Sequence, residues 1–152
     1  MATSLSLKTL LDLARNRSDQ AARQLVKLNC EEQKAEEKLK LLLEFRRDYE
    51  SRLQQSASDG IDQMEWNNYH AFMGHLDNAI TEQSRALAVS RKSTDAGRTE
   101  WRLRQRAVKS YDALSQIYAR ADHLRSARSE QREQDEQALK SVVHKPPSME
   151  RE

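Results

Sequence analysis

The stretch Ser56-Ala-Ser-Asp-Gly-Ile-Asp-Gln-Met-Glu-Trp66 decides how this sequence folds, because it alone, within the chain's interior, ends one long helical pattern and begins another. Gly60 can take the positive φ that a reversing backbone needs. Asp62 followed by Glu65 has the spacing of a capping box, in which each side chain satisfies the other residue's free N–H. Ile61 before that cap and Trp66 four residues beyond it have the spacing of a hydrophobic staple.

Upstream of the turn, apolar residues recur at alternating steps of four and three. Leu7, Ala14, Ala21, Leu28, Ala35, Leu42 and Tyr49 fall at heptad position d, and Leu11, Leu25, Leu39 and Leu53 at a. Ser18, Glu32 and Arg46 interrupt the a row every fourteen residues; such polar a residues weaken a coiled coil and fix its register. Ser4 or Ser6 can cap this helix, which is expected over about residues 5–54, roughly 50 residues or about 75 Å at 1.5 Å per residue. One helix of that kind cannot bury its own stripe, so it needs a partner.

Downstream, the pattern restarts at Trp66 and runs through Tyr69, Met73, Leu76, Ile80, Gln83 and Leu87. It weakens at Ser90, Thr94 and Gly97 and resumes at Trp101, Val108 and Tyr111. Folding back about residue 59 pairs Tyr49 with Tyr69, Leu42 with Leu76 and Leu39 with Ile80. The same register sets Gly97 near Ala21 and the Trp101 indole over Ser18 and Ala21, a match of large against small side chains. Leu7 then meets Tyr111, and the rest of the second helix overhangs. Leu114, Ile117, Ala121 and Leu124 continue an apolar stripe there that the hairpin cannot cover. That overhang is a partner surface, a self-association site or a frayed end.

The expected fold is therefore all-α: one antiparallel coiled-coil hairpin over residues 1–140, with a hinge at about 55–61 and a longer, overhanging second helix at about 62–140. The two prolines, Pro146 and Pro147, stop helix formation, so 141–152 is expected to be a disordered tail. Composition agrees: 33% charged, 37% hydrophobic and 5% aromatic residues in 152 suit long helices with a thin seam better than a thick core. Sustained periodicity with few breakers argues against disorder along the hairpin.

Little in the chain points to catalysis. Gly60, Gly74 and Gly97 are too scattered to cradle a phosphate, and His70, His75, His123 and His144 lack metal-ligand spacing. Cys30, the single cysteine, falls at the exposed f position with no base beside it. No enzyme, metal or cofactor is expected. The lone cysteine suits a reducing compartment, and the sequence offers neither a membrane-length apolar run nor a signal peptide at its start, so a cytoplasmic protein without membrane insertion is expected.

Two features point to partners instead. Between Arg98 and Arg132, eight arginines and Lys109 face four carboxylates, an excess of five positive charges within a chain whose net charge is only +2. That stretch could meet an acidic protein surface or be a solvated face; interleaved carboxylates make nucleic acid the least favoured partner, and none is expected. Sharper is the heptad phase near the turn. With Arg46 and Met73 at a, Phe45 and Phe72 both fall at g, as do Lys38 and Ala79. In an antiparallel pair g faces g, so both phenylalanines share one flank close to Leu42, Tyr49 and Leu76, an anchoring patch in a chain poor in aromatics. The alternative is that they simply widen the seam.

These residues resemble a known family. The segments Leu10-Leu-Asp-Leu-Ala14, Asp19-Gln-Ala-Ala-Arg-Gln-Leu25 and Ala35-Glu-Glu-Lys-Leu-Lys-Leu-Leu42 with Tyr49, and above all Gly60-Ile61, Trp66-Asn-Asn-Tyr69 and Phe72, are similar to the flagellar type III export protein FliJ family. The resemblance covers residues 7 to about 90 and beyond them only length and helicity. It implies a two-helix antiparallel coiled coil like the central stalk of rotary ATPases. It implies a non-enzymatic component of the flagellar export apparatus, peripheral to the inner membrane. Such a component works with the cytoplasmic export ATPase complex, docks on the cytoplasmic domain of the membrane export gate and handles export chaperones. The family's gate-binding surface carries over onto Leu42, Phe45, Tyr49, Phe72, Leu76 and Ala79; Lys38 and Gln83 hold two further positions of it with departing side chains. The runner-up reading is a self-associating coiled-coil spacer.

Overall fold

The computed structural model describes residues 2–144, and among them there are two helices and no strand. Helix α1 spans Ala2–Asp59 (58 residues) and α2 spans Gln63–Val143 (81 residues), packed as an antiparallel hairpin with the second helix longer. The break between them is only residues 60–62, shorter than the expected 55–61, because nothing in Gln55-Ser-Ala-Ser-Asp59 prevents another turn of helix. Gly60 ends α1 with φ of 87°, a conformation open to glycine at little cost, and its N–H reaches the Ala57 carbonyl at 3.4 Å. Helix α2 starts with the Trp66 N–H donating to the Asp62 carbonyl at 3.0 Å. Asp62 thus begins α2 with its backbone, and no side-chain hydrogen bond joins it to Glu65 among the described residues, so the capping box is not formed. Ile61 and Trp66 line one shallow concavity with Ala57, Gly60 and Gln63. At the far end, 141–143 are still helical, contrary to the expected tail, and 145–152 lie outside the described residues.

Two units can be described separately, Arg15–Arg106 and Met1–Ala14 with Ala107–Glu152. In the first, every a and d position of α1 from Ser18 through Leu53 is buried or half-buried, and between them only Ala22 joins that set. Opposite, the seam of α2 is marked by Leu76, Leu87 and Thr94, with Thr94 only 1% exposed. Apolar contact over so narrow a stripe is supplemented by polar side chains that cross it. Thr94 Oγ1 lies 3.0 Å from the Ser90 carbonyl and 3.4 Å from that of Leu28 across the seam. Gln83 Nε2 donates to the Ala35 carbonyl at 3.0 Å, and Arg91 meets Glu32 at 3.6 Å.

These crossings fix the axial slide of one helix on the other, which heptads alone leave free. They also relocate one expected neighbour. A Cβ on Gly97 would lie 2.6 Å from Leu28 Cδ1 and 3.7 Å from Leu25 Cδ1, so the glycine makes room for two leucines rather than matching Ala21.

In the second unit, Leu7, Leu11 and Ala14 are buried, and the half-buried residues of α2 run from Ala107 to Ser115 and end with Ala121. Every residue from Asp122 to His144 is exposed, Leu124 at 57% among them. No described helix is long and apolar enough to cross a membrane.

Candidate partner-binding site

Heptad geometry places residues at g beside the seam and not inside it, and an aromatic there has its ring half in water. Phe45 on α1 is 57% exposed and Phe72 on α2 is 46% exposed. Both line one groove of about 330 Å³ together with Tyr49, Arg52 and Leu76. Tyr49, at d, ties the groove to the seam: its ring lies 4.3 Å from that of Phe72 and 5.3 Å from that of Tyr69, both tilted. Such tilted aromatic pairs add roughly 0.5–1.5 kcal/mol beyond their buried area, which holds the groove's floor in place. Of the other residues carried over for this surface, Leu42 and Ala79 are half-buried and lie outside the groove's lining.

Polar neighbours set the edges. Arg46, a seam residue next to Phe45 in the chain, gives its Nε to Asp77 at 2.6 Å across the hairpin and its Nη1 to Glu50 at 3.3 Å one turn on. The hydrogen bond to Asp77, and then its charge, push the Arg46 pKa still higher, so this guanidinium is held charged and occupied. Gln83 is likewise engaged, reaching across the seam to Ala35, whereas Lys38 remains exposed. Glu65 is exposed and lines a second concavity with Tyr49, Asn68 and Tyr69. Trp66, 38% exposed, rests its ring edge-on to His70 at 4.4 Å. Cys30 is exposed, and no group of three or more metal-ligating side chains occurs among the described residues.

Arg52 was absent from the residues expected at this surface. The signal was available in the same phase that found Phe45, since Arg52 is the g position one heptad later. Side chains on a helix lean toward its N-terminus, and that lean carries Arg52 over the groove.

Fold and groove together define an antiparallel helical hairpin with an aromatic-lined groove open on one flank. Its family follows from comparison: the model of the flagellar FliJ protein family matches residues 3–146, and the chain belongs to that family. It is 32% identical over 146 residues to the flagellar FliJ protein of Escherichia coli (strain K12) and, equally, to that of Salmonella typhi. Each alignment covers 96% of this chain and 99% of the relative. The likeness therefore continues well past residue 90, where sequence reading alone found only length and helicity.

Proposed function

We propose that this flagellar export family member couples the cytoplasmic export ATPase complex to the export gate and handles export chaperones, catalysing no reaction itself. It works in the cytoplasm, peripherally associated with the inner membrane at the export apparatus. The observation that carries the reading is the groove between Phe45 and Phe72, the chain's two phenylalanines, both half-exposed and held on one flank. Aromatic anchors in an apolar depression concentrate binding energy, and truncating one such residue typically costs about 2 kcal/mol or more, near thirtyfold in affinity. Leu42, Phe45, Tyr49, Phe72, Leu76 and Ala79 are the residues assigned to the gate's cytoplasmic domain.

Changing Phe45 and Phe72 together to alanine tests the assignment by titration calorimetry against that domain. The expected result is a loss of at least roughly tenfold in affinity with the helical circular dichroism retained. Unchanged affinity would refute it. A second reading, a self-associating spacer, draws on the exposed Ile117 and Leu124 of the second unit; a persistent monomer in sedimentation at micromolar concentration leaves it without support.

A further inference from the structure

The groove that holds the aromatic anchors has one charged side chain in its lining, Arg52. Among the described residues Arg52 has no ion-pair or hydrogen-bond partner, in contrast to Arg46 six residues earlier, which Asp77 and Glu50 engage. The acidic candidate nearest in heptad phase is Glu65, at g on the facing helix, yet the two do not pair. Glu65 lines the neighbouring concavity of Asn68 and Tyr69, and Arg52 lines the groove of Phe45 and Phe72.

An apolar side chain seated in this groove would draw water away from the Arg52 guanidinium. A charge that loses its hydration without gaining a partner is costly, so a neutral or basic occupant is penalised at this place. A carboxylate from the occupant reverses the sign of that contribution, because guanidinium and carboxylate match in geometry and their bond strengthens as water leaves. We propose that Arg52 is a specificity-determining residue of the docking groove, which selects an acidic segment of a protein partner. That segment inserts an apolar side chain between Phe45 and Phe72 and places a neighbouring aspartate or glutamate on Arg52. This inference rests on the gate-docking reading above and names the chemistry of the surface docked.

The full-length chain is titrated against the gate's purified cytoplasmic domain at low and at raised salt, comparing wild type with Arg52→Lys, Arg52→Gln, Arg52→Glu and the Phe45→Ala/Phe72→Ala pair. Arg52→Gln is expected to bind roughly tenfold more weakly at low salt, with a flatter salt dependence, and Arg52→Glu more weakly still. Arg52→Lys keeps the charge and is expected to stay within about threefold of wild type. Wild-type affinity for all three Arg52 variants, when the phenylalanine pair abolishes binding, overturns the charge reading and leaves the groove standing. Equal weakening by glutamine and glutamate with an unaltered salt dependence also overturns it, since Arg52 then acts by packing alone. Tighter binding by Arg52→Glu means a basic occupant and has the same consequence. If neither the phenylalanine pair nor any Arg52 variant changes affinity, gate docking through this groove fails, and the proposal fails with it.

Discussion

Two stretches of the same seam solve the packing of two helices in different ways. Around Leu25, Leu28 and Glu32 the facing residues are Arg91, Thr94 and Gly97, mostly small or threaded across, and Thr94 is almost wholly buried. Around Arg46, Tyr49 and Leu53 they are Tyr69, Phe72 and Leu76, and here the rings tilt against one another and leave a groove open. Small residues let the backbones approach until a methyl at Gly97 would have to displace the end of Leu28. Large rings cannot be enclosed between two helices, and their excess surface becomes the flank. The difference teaches that a two-helix protein has no third layer to cover a ring beside the seam, so Tyr49 and Tyr69 stay half-buried while Phe45 and Phe72 are left on the flank.

The largest expected effect comes from abolishing the tight stretch. Gly97→Leu sets a branched side chain where even a Cβ would crowd Leu28, so the helices must separate locally and the Thr94 crossing to the Leu28 carbonyl is strained. Overpacking of this kind costs about 1–3 kcal/mol, offset in part by the better helix propensity of leucine. A net loss of roughly 2 kcal/mol, seen as a lower urea midpoint, is expected. An unchanged midpoint would mean the seam at Gly97 yields freely. Alanine there is a gentler case, because the atom it meets is the mobile end of a leucine.

Next in size is the turn that hands the chain from α1 to α2. A Cβ on Gly60 meets nothing within 4 Å, so the cost of Gly60→Val is conformational alone: a β-branched residue at φ of 87°. About 1–2 kcal/mol is expected, with both helices still formed by circular dichroism. Because the turn sets how Trp66 and Tyr69 leave it, binding to the gate's cytoplasmic domain should weaken as well. Wild-type affinity would separate the turn from the groove.

How much of this was legible in the sequence differs between the two stretches for a physical reason. Heptads fix the angular phase of each residue, and from that phase came the seam from Leu7 to Leu53 and the common flank of Phe45 and Phe72. The Tyr49–Tyr69 pairing came from folding the chain back about residue 59. Phase leaves axial slide and side-chain direction open. Gly97 was therefore placed against Ala21 when it receives Leu25 and Leu28, and the hooks from Thr94 and Gln83 to opposing carbonyls were invisible. The capping box failed for a related reason: spacing makes the Asp62 to Glu65 exchange possible, but the backbone carbonyl of Asp62 opens α2 without it. Arg52 was missed because a charged g residue reads as solvated surface until the groove beside it is seen.

The smallest expected effect bears on why the open stretch keeps a charge in its seam. Arg46 occupies an a position that leucine would fill, and its ion pairs with Asp77 and Glu50 are 37–51% exposed at their side chains, so solvent screens them. Removing the pair by Arg46→Leu therefore gives up little, while an apolar a residue adds burial. A small rise in the urea midpoint is expected. The cost should appear elsewhere. Arg46, next to Phe45 in the chain, reaches Asp77 on the other helix, so it opposes sliding of Phe45 relative to Phe72 and Leu76. A more stable variant that binds the gate domain less well is the outcome that assigns Arg46 to register. A variant both more stable and equally tight would show that Tyr49, packed between Tyr69 and Phe72, holds the register unaided.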